Sequence, residues 1–162
     1  NEQKDGMDIA LCIINEERDK LQYAGANNPL YLIRKEDKIL ETQNSLNSKI
    51  KVFKDDNSED IALYELKPDH QPIGIHIKEI EFSDIEVSIK SNDNIYIFSD
   101  GYIDQFNEAN TQKYKTKKFK QLLLSISEKD MQEQKQILDN DFEEWKGTAS
   151  QVDDLLVIGF KI

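Results

Sequence analysis

The chain has one cysteine, two histidines and 21 basic side chains against 32 acidic ones, and its apolar runs are all short. Each shortage closes off a class of function. A lone Cys12 excludes an intrachain disulfide, and its place inside the apolar stretch Ile9 to Ile14 suits a small core residue in a reducing, cytoplasmic compartment. A membrane-spanning helix needs about 20 consecutive apolar residues, so no direct membrane insertion is expected, although a longer protein could still be tethered. No signal-peptide pattern is present. A formal charge of −11 predicts a surface that repels nucleic-acid phosphates and anionic lipid headgroups. The one basic cluster, Lys113, Lys115, Lys117, Lys118 and Lys120, flanks an amphipathic segment and reads as a solvated face.

What remains is a chain of one-domain size, and residues 1–162 read as one domain without internal repeat. Ile9 to Ile14 reads as a mostly buried strand, and Leu21 to Ala24 and Leu30 to Ile33 as the next two. Between them, Gly25-Ala26-Asn27-Asn28-Pro29 has the composition of a tight connection. Lys38 to Glu41 could pair as a further strand. Residues 43–60 are rich in Asn, Ser, Asp and Lys and read as an exposed loop. Ile61 to Leu66 and Ile85 to Ile89 resume strand character, with Pro68 and Pro72 bounding a turn. Helices come late. Phe119, Leu122, Leu123 and Ile126 form one apolar stripe at helical spacing, and Met131, Ile137, Leu138, Phe142 and Trp145 form a second, closed by Gly147 as a cap. Strands in succession followed by a helical pair predict an α+β layered domain with largely antiparallel sheet.

The most informative segment is Asn94-Ile95-Tyr96-Ile97-Phe98-Ser99-Asp100-Gly101, in which an interior strand delivers a carboxylate to its end. Near the C-terminus, Gln151-Val152-Asp153-Asp154 stands before the apolar run Leu155 to Ile158, a second strand with acids at its mouth. Carboxylates withdrawn from water need a partner, and a metal ion is the natural one.

Taken in order, Gly6-Met7-Asp8-Ile9-Ala10-Leu11-Cys12, Tyr23 to Pro29, Gln71-Pro72-Ile73-Gly74, Phe98-Ser99-Asp100-Gly101 and Val152-Asp153-Asp154 resemble the SpoIIE-type branch of the metal-dependent (PPM, type 2C) serine/threonine protein phosphatases. The resemblance implies two stacked antiparallel β-sheets flanked by helices, and a substrate bearing phosphoserine or phosphothreonine on a signalling protein. It also implies an upstream sensor or regulatory domain. Asp100 and Asp153 would be catalytic by holding a Mn²⁺ or Mg²⁺ ion, and Gly101 would let the backbone turn tightly beneath it. Asp104 and Asp154 would either hold water around the metal or simply accept backbone hydrogen bonds.

The match has gaps. The family's Asp followed by Gly-His-Gly, which brings the acid that bridges two ions, does not occur, and His70 and His76 read as turn or surface residues. The chain therefore resembles the C-terminal two-thirds of the domain, without its first strands and helices or its second metal site, and is expected to be weakly active or inactive alone. Asn27 stands where eukaryotic relatives place an acid. Asp8 is either a neighbouring carboxylate or a strand-edge residue facing water. A catalytically silent interaction domain is the alternative. A receiver domain would need alternating βα units and an early acidic pair, and neither is evident.

Overall fold

The computed structural model describes residues 6–35, 49–54, 60–74 and 80–162. Among the described residues, ten strands and three helices follow in the order β1 (Gly6–Met7), β2 (Ile9–Ile14), β3 (Lys20–Ala26), β4 (Leu30–Lys35), β5 (Ile50–Phe53), β6 (Ile61–Leu66), β7 (Ile73–Gly74), β8 (Ile85–Ser88), β9 (Asn94–Phe98), α1 (Gly101–Asp104), α2 (Thr116–Ile126), α3 (Met131–Lys146) and β10 (Val157–Lys161). Every pairing between these strands is antiparallel. A five-stranded sheet has the order β10-β9-β4-β6-β5, a three-stranded sheet the order β2-β3-β8, and β1 pairs with β7.

Alternation along β4 and β9 builds the layers. Side chains of successive strand residues point to opposite faces, so Leu30, Leu32 and Ile95 join Leu21, Tyr23, Ile85 and Val87 of the smaller sheet in one core. Tyr31, Ile33, Tyr96 and Phe98 point the other way and join Phe119 and Leu123 of α2 with Leu138 and Phe142 of α3 in a second. The central sheet is thus covered on one face by a sheet and on the other by helices. This is the α+β sandwich of antiparallel sheets and helices that the sequence predicts. Both helices form where the apolar stripes fall, and Asp130 caps α3 by accepting from the Glu133 amide at 2.8 Å. Gly147 ends α3 at φ +53°, in backbone space that side-chain-bearing residues rarely enter.

Gly25 to Pro29 carries the chain from one sheet to the other, because β3 and β4 do not pair with each other. Three expectations are corrected. Residues 43–60 are not wholly loop: Ile50–Phe53 forms β5 and pairs with Leu63 to Leu66. β2 is not mostly buried, since Leu11 and Ile13 are 52% and 54% exposed; it is an edge strand and only one of its faces meets the core. Lys120 is not solvated. It lies 5% exposed, its Nζ donates to Glu65 Oε2 at 2.8 Å, and it sits over the Tyr31 ring. A buried ammonium needs such a partner to retain its charge. The strand expected over Lys38 to Glu41 and the residue His76 lie outside the described residues.

Candidate metal centre

β9 and β10 are neighbours whose ladder runs from Asn94↔Lys161 to Phe98↔Val157. The second strand therefore starts at Val157, two residues later than its apolar run suggests. Past the ladder, Ser99 ties the diverging chains. Its amide donates to Leu156 O at 3.0 Å, its hydroxyl donates to Asp154 O at 2.6 Å, and the same hydroxyl accepts from the Leu156 amide at 2.9 Å. One small side chain satisfies backbone groups on both sides of Leu155.

Gly101 then makes an approach that no other residue allows. A Cβ at this position would lie 2.4 Å from Asp154 O, 2.9 Å from Asp154 C and 3.3 Å from Asp153 O. The expectation that Gly101 provides a tight turn is corrected: it begins α1, where Asp104 N donates to Asp100 O at 2.9 Å, and its contribution is the absence of a side chain. Ser99 and Gly101 together place Asp100 and Asp153 at one edge of the sandwich.

The electrostatics record that proximity. Partial loss of water, then the carboxylates of Asp153 and Asp104, push the Asp100 carboxyl above its ordinary range, with Asp8 adding to the same effect and a backbone hydrogen bond opposing it. Asp8 had no assigned role in the sequence beyond two open readings. The structure turns it toward this edge, where Asn27 Nδ2 donates to its Oδ1 at 2.8 Å. Asn27 itself adopts φ +59°, a left-handed conformation that asparagine tolerates better than most residues. The visible signal for Asp8 was a lone acid on an apolar strand, and its partner could not be read from spacing.

Of the other expected acids, Asp104 pairs through its carboxylate with Lys113 at 3.0 Å, whereas Asp154 meets Ser99 through its backbone carbonyl alone. Asp153 Oδ1 accepts from the Asp154 amide at 2.7 Å. His70 is exposed in a bend. Among the described residues, no three acidic, histidine or cysteine side chains converge closely enough to enclose an ion. The donor chemistry nevertheless fits a hydrated divalent cation. Mg²⁺ and Mn²⁺ favour carboxylate oxygens, and Mg²⁺ commonly retains several waters while bound by one or two carboxylates.

A sandwich of antiparallel sheets packed with helices is the fold of type 2C phosphatase domains. Solved structures bear this out at the level of fold. The SiaA-PP2C domain of Pseudomonas aeruginosa superposes with a TM-score of 0.72 at 22% identity, covering 96% of this chain and 51% of that one. The phosphatase domain of the cell-fate determinant SpoIIE from Bacillus subtilis, in a manganese-presoaked crystal, gives 0.56 at 13% identity, covering 96% and 56%. The sequence model of the family described as Stage II sporulation protein E (SpoIIE) matches residues 2–162, and the chain belongs to that family. It spans about half the length of the solved chains it resembles. No curated protein matches it significantly. No helix among the described residues is long and apolar enough to cross a membrane.

Proposed function

We propose that this chain contributes Asp100 and Asp153 to the metal centre of a serine/threonine protein phosphatase, acting on phosphoserine or phosphothreonine of a signalling protein. The observation that carries this reading is the close seating of Gly101 on the Asp153-Asp154 backbone, which brings the acid just after β9 and the acid just before β10 to one edge. Residues 1–162 would form part of a single phosphatase domain under the control of a sensor or regulatory region in a longer protein.

Asp100 and Asp153 would hold Mn²⁺ or Mg²⁺, with Asp8, Asp104 and Asp154 available to the surrounding water. Such an ion, when bound, orients the phosphoryl group, lowers the pKa of water and neutralises charge developing on oxygen. The protein's own contribution is placement. Ser99 and Gly101 hold the acids in register before an ion arrives, and Asn27 holds Asp8 with one oxygen engaged. Concentrated negative charge at Asp100 supplies an attraction for a cation and repels an unaccompanied phosphate. Uncatalysed phosphate-monoester hydrolysis is slow enough to require accelerations of up to about 10²¹-fold, so small errors in this placement should be costly.

Phosphate release from a phosphoserine protein, with Mn²⁺ and with the longest chain that carries this segment, tests the proposal. Asp100→Ala should abolish the metal-dependent rate, and a rate indifferent to that substitution refutes the assignment. The absence of a three-acid enclosure among the described residues favours one competing reading, a phosphatase scaffold that binds its partner without turnover. It predicts binding of the phosphorylated partner with no phosphate released by the wild type under any metal condition.

A further inference from the structure

The segment carrying Asp153 is fixed from two sides, and only one of them is the Ser99–Gly101 side. Gln105 follows α1 directly and is fully buried, at 0% exposure. Its Nε2 donates to Ser150 O at 3.0 Å and to Phe106 O at 3.1 Å, while its Oε1 accepts from the Val152 amide at 3.2 Å. Both ends of the amide are therefore used, and two of its three bonds reach the residues immediately before Asp153. The backbone beneath the side chain is itself held. Gln105 O accepts from Trp145 Nε1 at 3.0 Å and from the Tyr114 amide at 2.9 Å.

Resting on the phosphatase reading above, we propose that Gln105 is a positioning residue for the metal centre: its side-chain amide clamps residues 150–152 and so sets where Asp153 stands relative to Asp100. Asp153 lies between two sets of anchors, Gln105 at Ser150 and Val152, and Ser99 at Asp154 and Leu156. Gln105 is connected to Asp100 through the single turn of α1. The distance between the two acids is thus governed from the buried side by one neutral amide. A carboxamide suits the position because it can donate to one backbone carbonyl and accept from an amide two residues later. A carboxylate there would turn the donor into a second acceptor facing Ser150 O, and an apolar side chain would leave the Val152 amide and the Ser150 carbonyl without these part-buried bonds.

The test uses amide hydrogen exchange and Mn²⁺ titration on the wild type, Gln105→Met and Asp100→Asn. Gln105→Met keeps length and apolar volume while removing both bonds to the 150–152 segment. Exchange at the Val152 amide should accelerate at least about ten-fold, and Mn²⁺ half-saturation should rise about ten-fold or more, the range seen when groups supporting a metal ligand are removed. Unchanged exchange at Val152, or faster exchange with unaltered Mn²⁺ affinity, overturns the positioning role. Mn²⁺ binding that is indifferent to Asp100→Asn overturns the metal-centre reading itself, and the positioning role with it, even when Val152 exchange responds. Should Gln105→Met fail to fold, Val152→Pro removes the N–H that donates to Gln105 Oε1 at a residue whose side chain is exposed, and the same loss of Mn²⁺ affinity is expected. Unaltered affinity in Val152→Pro counts against the clamp.

Discussion

Replacing Gly101 by alanine should separate the two acids while changing no charge. The added Cβ would sit 2.4 Å from Asp154 O, roughly 0.6 Å inside the closest approach that Cβ atoms make in practice, so something must move. The obstacle is backbone, which cannot rotate away as a side-chain end would. Asp154 O is also the acceptor of the Ser99 hydroxyl at 2.6 Å, so retreat of the 154–155 peptide stretches that bond and disturbs the Leu156 amide bonded to the same hydroxyl. Overpacking of this kind costs about 1–3 kcal/mol. Against it stands the helical preference of alanine over glycine, at most about 1 kcal/mol and less at the first residue of a four-residue helix. The net expectation is about 1–2 kcal/mol of destabilisation, a fall in Tm of roughly 2–8 °C for a domain of this size.

Thermal unfolding with and without Mn²⁺ gives both readouts. The metal-free Tm should fall, and the stabilisation by Mn²⁺ at fixed concentration should shrink, because ligand-induced stability follows affinity logarithmically. Gly159→Ala serves as the control. Its Cβ would meet the Tyr96 ring at 3.1 Å, a crowding remote from the acids, and any loss of Tm there should leave the Mn²⁺ increment intact. An unchanged Tm in Gly101→Ala refutes the spacing argument. A lowered Tm with a full Mn²⁺ increment refutes the link between that spacing and ion binding.

Asp100→Asn should raise the Tm of the metal-free protein at neutral pH while abolishing the Mn²⁺ increment. The folded-state carboxyl is pushed up by desolvation and by its acidic neighbours, so the wild type loses stability as pH rises from the unfolded carboxylate range through the folded value, and the variant escapes that loss. The side chain is exposed, and solvent screening limits the gain to about 1 kcal/mol or less; equal pH profiles for the two proteins count against the repulsion. Cys12 should be slow to alkylate, since burial pushes its thiol up to about 11 and leaves on the order of a hundred-fold less thiolate near neutrality than an ordinary thiol. Mass-spectrometric labelling rates as fast as those of the unfolded chain contradict this.

Elements whose stability is local or whose pattern is continuous were readable in the sequence. β4 is covered on both faces and reads as an apolar run, and α2 and α3 show their stripes at helical spacing. β5 was hidden because its residues Ile50-Lys51-Val52-Phe53 sit in a polar neighbourhood and become a strand through pairing with β6, in which Lys51 faces Glu65. The same strand explains Lys120. Its partner Glu65 lies 55 residues earlier, and no helical pattern around residue 120 could announce it. β2 misled for the opposite reason: Leu11 and Ile13 have the composition of core residues, but they lie on the outer face of the small sheet, where Gln22, the partner of Ile13 on the middle strand, is exposed as well.

The candidate site divides along the same line. Its acids were legible because a carboxylate at the end of an apolar run is chemically conspicuous. The residues that set their geometry were not, because Ser99, Asn27 and Gln105 are neutral and look like ordinary turn or helix-end residues, and Gly101 suggested a turn although it serves as a gap. This division has a physical basis. Like charges repel, so acids that are brought together raise one another's pKa and cannot hold their own arrangement; the hydrogen bonds that oppose the repulsion must come from groups that add no further charge. A related chain could therefore keep Asp100 and Asp153 yet lose the metal centre through changes at these neutral positions. Reading the acids without their neutral supports would misassign it.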